Sequence, residues 1–207
     1  FIVDRAGLRP GVRALELGCG TGLFTGKVAA SGADIVAVDI APRLLDEARR
    51  RVVATNVAFV AADLMAPDAL AGRRFDAFYC VSVLHHLDLD RALPAIARHL
   101  VPGARFAVTE PNLDNPLNRW WYFTPDVARR ARLGMSPTEM AFTRAELAAT
   151  FLRHGYVVER LEHRDFLHPR VPRVLIPLAA GIGRIAECLP GVRRWSGSLF
   201  AAGTWPG

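Results

Sequence analysis

Short apolar segments alternate with helix-like segments along the first 165 residues of this 207-residue chain. The segments predicted as strands are Val12–Leu17, Ile35–Asp39, Val57–Ala61, Phe75–Val81, Arg105–Glu110, Tyr156–Phe166 and Ser198–Thr204. The segments predicted as helices are Leu23–Ala30, Pro42–Ala54, Asp90–Leu100 and Thr143–His154. Apolar strands that alternate with helices form parallel sheets with helices on both faces. We therefore expect an α/β fold with a doubly wound, mostly parallel sheet.

Two segments interrupt this alternation. Residues 112–135 follow the fifth predicted strand and hold an aromatic cluster, which predicts an insert rather than a sheet element. The cluster consists of Trp120, Trp121, Tyr122 and Phe123. Residues 167–195 precede the last strand and mix aliphatic side chains with arginines, which predicts an apolar, lid-like helical segment. Neither segment resembles a linker between domains, so we expect a single domain over residues 1–207.

A glycine-rich loop stands between the first predicted strand and the first predicted helix, with the sequence Glu16-Leu17-Gly18-Cys19-Gly20-Thr21-Gly22. Glycines let the backbone turn tightly and approach a ligand closely, and a helix N-terminus follows. The spacing differs from the G-x-G-x-x-G dinucleotide fingerprint, and the loop lacks the Gly-Lys-Ser/Thr of a phosphate-binding Walker loop.

Carboxylates follow the next two predicted strands, at Asp39 and Asp63. A carboxylate at such a strand end can accept hydrogen bonds from ribose hydroxyls or from an exocyclic amine. Each one alone is equally consistent with a residue that caps the next helix. Together, and after the glycine loop, they favour a nucleoside-binding site.

The segment Leu15–Gly22 resembles the first motif of class I S-adenosylmethionine-dependent methyltransferases of the small-molecule type, the type 11/12 group that includes ubiquinone and menaquinone biosynthesis enzymes. The resemblance continues in Phe75-Asp76-Ala77, in Val83-Leu84-His85-His86-Leu87 and in Leu100-Val101-Pro102-Gly103-Ala104, where Ala104 replaces the family's second glycine. It covers roughly residues 8–165 and the last strand. The resemblance implies a Rossmann-like, seven-stranded sheet with an antiparallel last strand. It also implies S-adenosyl-L-methionine as the cofactor and S-adenosyl-L-homocysteine as the product.

The resemblance also implies which residues contact the cofactor. Asp39 would bind the ribose, Ile40 would pack on the adenine ring and Asp63 would contact the adenine amino group. Glu16 would lie near the amino group of the methionine moiety. The full predicted set is Glu16, Gly18, Cys19, Gly20, Asp39, Ile40, Asp63, Leu64, Cys80 and Val81. We expect the three cysteines to be packing residues with no redox role.

The candidates for chemistry follow the fourth and fifth strands, at the sheet edge where open α/β folds bind ligands. Methyl transfer requires alignment of donor and acceptor, and a base only where the acceptor loses a proton. The catalytic candidates are His86, His85 and Glu110, with His86 slightly favoured as a base. The acceptor-binding candidates are Asn112, Trp120, Trp121 and Tyr122, although burial of an insert helix explains the aromatic residues equally well. No cluster of carboxylates stands at ligand spacing from the two histidines, so we expect no metal.

The formal net charge of +6 is concentrated in the second half of the chain. Residues 167–207 contain five arginines and one glutamate, and these arginines flank an apolar segment. This pattern favours an amphipathic acceptor or a membrane surface over nucleic acid. We expect O-methylation, rather than C- or N-methylation, of a small lipid-like molecule, with peripheral membrane contact through residues 170–194. A helix pair packed on the sheet is the alternative for this segment.

Other functions stay open at this point. A NAD(P)-dependent oxidoreductase on a similar fold would need the longer glycine spacing and a Tyr/Lys or Ser-type catalytic set, whereas Lys27 is the only lysine. A non-catalytic cofactor-binding or interaction protein would share every motif above. A nucleic-acid methyltransferase is a further alternative, but the sequence shows neither the N/D-P-P-Y/F/W motif for exocyclic amines nor an added binding domain.

The sequence also bears on the cellular compartment. Free cysteines without an export signal favour a cytoplasmic biosynthetic enzyme. Because the chain begins at Phe1 rather than at a methionine, we expect an upstream segment.

Overall fold

The computed structural model describes residues 1–66, 69–70, 72–121, 124–133, 135, 139–167 and 171–207, without the side chain of Trp121. Its strands are β1 (Arg13–Leu17), β2 (Asp34–Asp39), β3 (Val57–Ala61), β4 (Phe75–Val81), β5 (Leu100–Pro111), β6 (Val157–Arg164) and β7 (Ser198–Trp205). They form one sheet in the order β3-β2-β1-β4-β5-β7-β6. The first five strands are parallel, and β7 runs antiparallel to both β5 and β6. The predicted seven-stranded sheet with an antiparallel last strand is confirmed.

Eight α-helices connect or flank the strands in the described part of the chain. They are α1 (Ile2–Arg5), α2 (Thr25–Ala29), α3 (Pro42–Arg51), α4 (Leu89–Ala97), α5 (Pro116–Trp121), α6 (Val127–Arg132), α7 (Arg144–Arg153) and α8 (Ile176–Cys188). Helix α7 begins with a capping box, because the Thr143 hydroxyl accepts the Glu146 amide and the Glu146 carboxylate accepts the Thr143 amide.

The sheet is covered on both faces because successive side chains of a strand point to opposite sides. Leu15 and Leu17 of β1 belong to a core that includes Leu93 of α4 and Phe151 of α7. Ala14 of the same strand belongs to a second core, shared with residues of α2 and α3. The three-layer arrangement therefore follows from apolar residues on both faces of the central strands.

The start of β5 differs from the prediction. The sequence predicts a strand that begins at Arg105, after Pro102 and Gly103, but β5 already begins at Leu100. Phe75 of β4 pairs with Leu100 and Ala77 pairs with Arg105, so extra residues of β5 bulge from the ladder. Proline and glycine favour turns and bulges alike, and the sequence pattern cannot distinguish the two.

The two interrupting segments are helical where the structure describes them. The first insert contains α5 and α6, and the second segment contains α8 between the short 3₁₀ turns Arg173–Leu175 and Val192–Trp195. Most aliphatic side chains of α8 are exposed, and only Gly183 of this helix is buried. Across the described residues, no helix has the length and hydropathy required to cross a membrane.

Candidate cofactor and acceptor site

The glycine loop packs directly against the segment that follows β4. Gly18 has a left-handed backbone with φ of 60°, and a Cβ atom there would lie 2.7 Å from Cγ2 of Val83. The amide of Cys19 donates a hydrogen bond of 3.0 Å to the carbonyl of Val38, next to the end of β2. Burial raises the pKa of the Cys19 thiol to about 12, which keeps it protonated and supports a packing role. The loop thus joins the carboxyl ends of β1, β2 and β4.

Asp39 is fixed toward this loop by backbone hydrogen bonds. Its Oδ2 accepts the amide of Gly20 at 2.8 Å, and its Oδ1 accepts the amide of Ala41 at 2.9 Å. Each carboxylate oxygen has two lone pairs, so both oxygens retain the capacity to accept from vicinal hydroxyls. The next side chain, Ile40, is 71% exposed, which leaves an apolar surface free beside the carboxylate.

Asp63 lies at the same edge of the sheet. The amide of Ala62 donates to the carbonyl of Asp39 at 3.2 Å, which joins the ends of β3 and β2. Oδ1 of Asp63 accepts the amide of Met65 at 2.9 Å, and the carboxyl group is exposed. Leu64 is half-buried against the core. The arrangement leaves the carboxylate of Asp63 able to accept a hydrogen bond from a ligand.

Glu16 is an acidic residue buried beneath the loop. It is 3% exposed and accepts a hydrogen bond of 3.0 Å from the hydroxyl of Tyr79. Burial raises the pKa of Glu16 to about 7, well above the ordinary range of a carboxyl group. Within the described part of the chain, no basic side chain forms an ion pair with it. A ligand ammonium group would supply the missing positive charge, so this carboxyl fits the amino-acid end of the expected cofactor.

Cys80 and Val81 of β4, both predicted to contact the cofactor, differ in how far their side chains are buried. The side chain of Cys80 is fully buried in the core, which leaves only its backbone near the strand end. Val81 is half-buried, and Ser82 after it has a left-handed backbone with φ of 57°. The strand therefore ends in a sharp change of direction that leads to His85 and His86.

Glu110 at the end of β5 holds the turn that carries these histidines. Its Oε1 accepts the amides of Val83 at 3.1 Å and Leu84 at 2.8 Å. Its Oε2 accepts the amide of His85 at 3.2 Å and lies 2.7 Å from His85 Nδ1. Each of the two oxygens of Glu110 already has two partners, so this geometry suits a positioning role for the carboxylate rather than direct contact with an acceptor. With Nδ1 bonded to a carboxylate, we assign a proton to Nδ1.

His86 is exposed, and its ring centroid lies 4.0 Å from that of buried His85. Partial burial and the neighbouring His85 lower the pKa of His86 below its ordinary value. The His86 imidazole is therefore neutral near pH 7, with a ring nitrogen able to accept a proton. Among the three catalytic candidates, His86 presents the most accessible basic group.

Sequence reasoning missed Glu139, which lies beside the two histidines. Its Oε1 is 3.9 Å from His85 Nε2, and the amide of Met140 donates to the carbonyl of His85 at 2.9 Å. Ligand atoms of His85, His86 and Glu139 lie within 4.8 Å of one another, a donor set that metal ions use. No local pattern connects residues so distant along the chain. The expected absence of a metal stays a prediction.

The insert after β5 is tied to the segment before β7 by asparagines. The fully buried Asn112 donates from Nδ2 to the carbonyls of Arg194 at 3.0 Å and Ser196 at 2.9 Å. Nδ2 of Asn115 donates to the carbonyl of Trp195 at 2.8 Å. The amide group of Asn112 thus serves the fold, in contrast to the acceptor contact that we predicted for it.

The aromatic residues of the insert are only partly described. Trp120 is 61% exposed, and the guanidinium carbon of Arg129 lies 4.7 Å from its ring centroid. Tyr122 and the side chain of Trp121 fall outside the described residues. Their proposed acceptor contacts, like those of Trp120, stay predictions.

Comparisons with known proteins agree on the class of protein. The sequence profile of a family described as "Methyltransferase domain" matches residues 15–108. An uncharacterized methyltransferase of Synechocystis is 30% identical over 162 residues, which span 76% of this chain and 73% of that protein. A ubiquinone biosynthesis O-methyltransferase of Xylella fastidiosa is 33% identical over 105 residues, 49% of this chain and 43% of that protein. A solved S-adenosylmethionine-dependent methyltransferase from Mesorhizobium loti matches with a TM-score of 0.67 and 20% identity, covering 95% of this chain and 92% of its own.

The fold and the comparisons together define a class I methyltransferase. The chain belongs to the S-adenosylmethionine-dependent methyltransferase family, which makes it a transferase with S-adenosylmethionine as cofactor and S-adenosylhomocysteine as product. The residues at the ends of β1, β2 and β3 fit that cofactor.

Proposed function

We propose that the protein transfers a methyl group from S-adenosylmethionine to an oxygen atom of a small, lipid-like molecule. The proposal is carried by the histidine pair beside the glycine loop, in which Glu110 anchors His85 and leaves a neutral His86 exposed. A neutral base is needed for a hydroxyl acceptor because the hydroxyl must lose its proton. The partial similarity to ubiquinone biosynthesis O-methyltransferases supports the same acceptor atom.

The cofactor side of the site supplies binding and orientation. S-adenosylmethionine, when bound, provides an electrophilic methyl group on a positively charged sulfonium. Glu16 would bind its amino group, Asp39 its ribose hydroxyls and Asp63 its adenine amine, while Ile40 would pack on the adenine ring. These contacts fix the methyl donor at the carboxyl edge of β1 and β4, next to the turn that carries the histidines.

The acceptor side of the site would remove one proton from the acceptor hydroxyl. An acceptor hydroxyl would pass its proton to a ring nitrogen of His86 while its oxygen takes the methyl group that the bound cofactor would supply. Glu110 acts as a positioning residue, because it fixes the backbone of the turn and the ring of His85. His85 in turn packs against His86 and limits the orientations of its ring.

An apolar acceptor is supported by the surface near the insert and α8. Trp120 and the aliphatic side chains of α8 are exposed, whereas most large apolar residues of the sheet are buried. Apolar surface that stays in contact with water is costly unless a ligand, a partner or a membrane covers it. We propose a cytoplasmic, biosynthetic setting, consistent with the free cysteines.

A labelled-methyl assay tests this function. The chain is incubated with S-adenosylmethionine carrying a labelled methyl group and with paired hydroxyl and amine derivatives of the same phenolic and aliphatic lipids. We expect extractable, alkali-stable methyl ethers and loss of label in a His86→Ala variant. Transfer only to amines, or cofactor binding without transfer to any acceptor, would overturn the proposal.

A further inference from the structure

A cavity lies apart from the glycine loop, between β6, α8 and the 3₁₀ turn Val192–Trp195. The cavity has a volume of about 630 Å³. Five arginines contribute to its lining, namely Arg144, Arg164, Arg184, Arg193 and Arg194. Neither the methyl donor nor the proposed base requires such a concentration of positive charge.

Most of this charge is not neutralised by the protein itself. Nε of Arg164 lies 2.7 Å from the carboxylate of Glu162, and its Nη1 lies 3.8 Å from that of Glu187. The other four arginines form no ion pair with a carboxylate in the described part of the chain. Glu162 and Glu187 also line the cavity, and the carboxylate of Asp114 bonds Nε2 of His163 at 2.9 Å.

Clustered guanidinium groups are suited to a particular ligand chemistry. Like charges around one concave surface repel each other, and a bound anion removes that repulsion. The planar guanidinium group offers paired donors that match the oxygens of a phosphate. Nε of Arg144 is hydrogen-bonded to the carbonyl of Leu161 at 3.1 Å, which orients one such group at the cavity.

Helix α8 lines the cavity through Arg184, Glu187 and Cys188, and it also carries an exposed apolar face. Leu178, Ile182, Ile185 and Leu189 recur at helical spacing along α8 and its end, and each has about half or more of its surface exposed. Trp195 of the adjoining 3₁₀ turn is also exposed. A helix with aliphatic side chains on one side and arginines beside them is suited to lie in a membrane interface. Anionic headgroups attract such arginines, and acyl chains accept the aliphatic side chains.

We propose that the arginine-lined cavity binds the phosphate headgroup of an anionic membrane phospholipid while α8 inserts its aliphatic side chains into the same leaflet. The asparagine contacts connect this surface to the methyl-transfer edge, because Nδ2 of Asn112 donates to the carbonyl of Arg194. Docking would therefore present the acceptor side of the enzyme to the membrane. This role rests on the proposed lipid-like acceptor, but the binding itself requires neither cofactor nor acceptor.

Vesicle sedimentation tests the headgroup site with the full chain. The protein is mixed with phosphatidylcholine vesicles, with or without about one third phosphatidylglycerol, at two salt concentrations. We expect at least about tenfold stronger binding to the anionic vesicles, weakened by salt. Equal binding to both vesicle types, or binding to neither, would overturn the proposal.

Matched variants distinguish vesicle binding at the arginine-lined cavity from a general effect of the protein's positive charge. Arg193→Glu/Arg194→Glu should weaken binding to anionic vesicles more than about tenfold, and Ile182→Ser/Ile185→Ser should weaken it as well. Arg50→Glu/Arg91→Glu makes the same change in net charge at exposed sites on α3 and α4 and should keep most of the binding. Thermal unfolding and S-adenosylhomocysteine binding confirm that each variant is folded. An equal loss in the Arg50/Arg91 control would overturn the assignment.

Two further arms distinguish the possible sources of the anion. In calorimetry, glycerol 3-phosphate is titrated into the protein. If the protein binds glycerol 3-phosphate but not anionic vesicles, the site takes a soluble ligand and the membrane assignment is contradicted. Binding to random RNA as strong as to vesicles would contradict it too. Methyl transfer to a detergent-dispersed acceptor is measured in parallel, so a failed vesicle assay with intact transfer leaves the proposed function standing.

Discussion

The two halves of the carboxyl edge are built in different ways. At the ends of β1, β2 and β3, the cofactor side is built around the backbone of the glycine loop, whose Gly20 amide donates to Asp39. At the ends of β4 and β5, the acceptor side uses side chains brought together from distant segments, such as Glu110 and Glu139 around His85. The residues of the first half fit the cofactor S-adenosylmethionine. The second half can vary without disturbing the first.

Charge separates the same two halves. The cofactor side presents Glu16, Asp39 and Asp63, which suits a ligand with a positive ammonium and sulfonium. Beyond the acceptor side, the arginine-lined cavity and the exposed face of α8 present positive charge and apolar surface. The account predicts that mutations in one half leave the function of the other half intact.

The largest expected effect concerns the base. His86→Ala should reduce the methyl-transfer rate about 10²- to 10⁴-fold, because general-base catalysis contributes that range. Calorimetry should show unchanged S-adenosylhomocysteine affinity. His154→Ala is the control, because His154 caps the C-terminus of α7 away from the carboxyl edge of the sheet. This variant should keep the wild-type transfer rate. A parallel loss of cofactor affinity in His86→Ala would remove the distinction between the two halves.

The second effect concerns the ribose contact. Asp39→Asn should weaken cofactor binding by about 10- to 100-fold, because hydrogen bonds to a charged group contribute about 1.5–3 kcal/mol. Titration calorimetry with S-adenosylhomocysteine measures this change. Asp46→Asn removes an exposed carboxylate on α3 that pairs with Arg49, and it should bind the product as the wild type does. Equal affinities for wild type and Asp39→Asn would show that the ribose lies elsewhere.

The third effect is a pH dependence that arises from Glu16. Because the pKa of its buried carboxyl group is raised to about 7, the folded protein retains a proton that the unfolded chain releases near pH 4.5. The stability of the free protein should therefore fall as the pH rises from about 4.5 to 7 and then level off. Thermal unfolding across this range should show a smaller slope in Glu16→Gln. A slope unchanged in the variant would assign the dependence to other groups.

Cofactor binding should show the opposite trend. The ammonium group of the cofactor favours the ionised carboxylate, so affinity should rise as the pH rises from about 5.5 to 7.5. Calorimetry of S-adenosylhomocysteine at several pH values measures this rise. In Glu16→Gln the affinity should be lower and nearly independent of pH over the same range. An identical rise in that variant would exclude Glu16 as its source.

The smallest expected effect is purely structural. Thr143→Ala removes the N-cap of α7 and should lower the free energy of unfolding by about 0.5–2 kcal/mol. Chemical denaturation measures the change, and cofactor affinity should stay as in the wild type. A large loss of affinity would show that α7 communicates with the cofactor side.

The sequence predicted the cofactor half far better than the acceptor half. The strand bounds of β3 and β4, the glycine loop and the carboxylate of Asp39 follow from local patterns that depend on neighbouring residues. The hydrogen bonds of Glu110 to the preceding turn could not be predicted, because they depend on the pairing of β4 with β5. The buried amide of Asn112 and the approach of Glu139 to His85 likewise depend on how the insert folds back.

The separation of the two halves is tested most directly by S-adenosylhomocysteine titrations into wild type, Asp39→Asn and His86→Ala. The product is a stable ligand, so this measurement needs no knowledge of the acceptor. The account predicts about 10- to 100-fold weaker binding for Asp39→Asn and wild-type binding for His86→Ala. Equal weakening in both variants, or wild-type binding in Asp39→Asn, would contradict it.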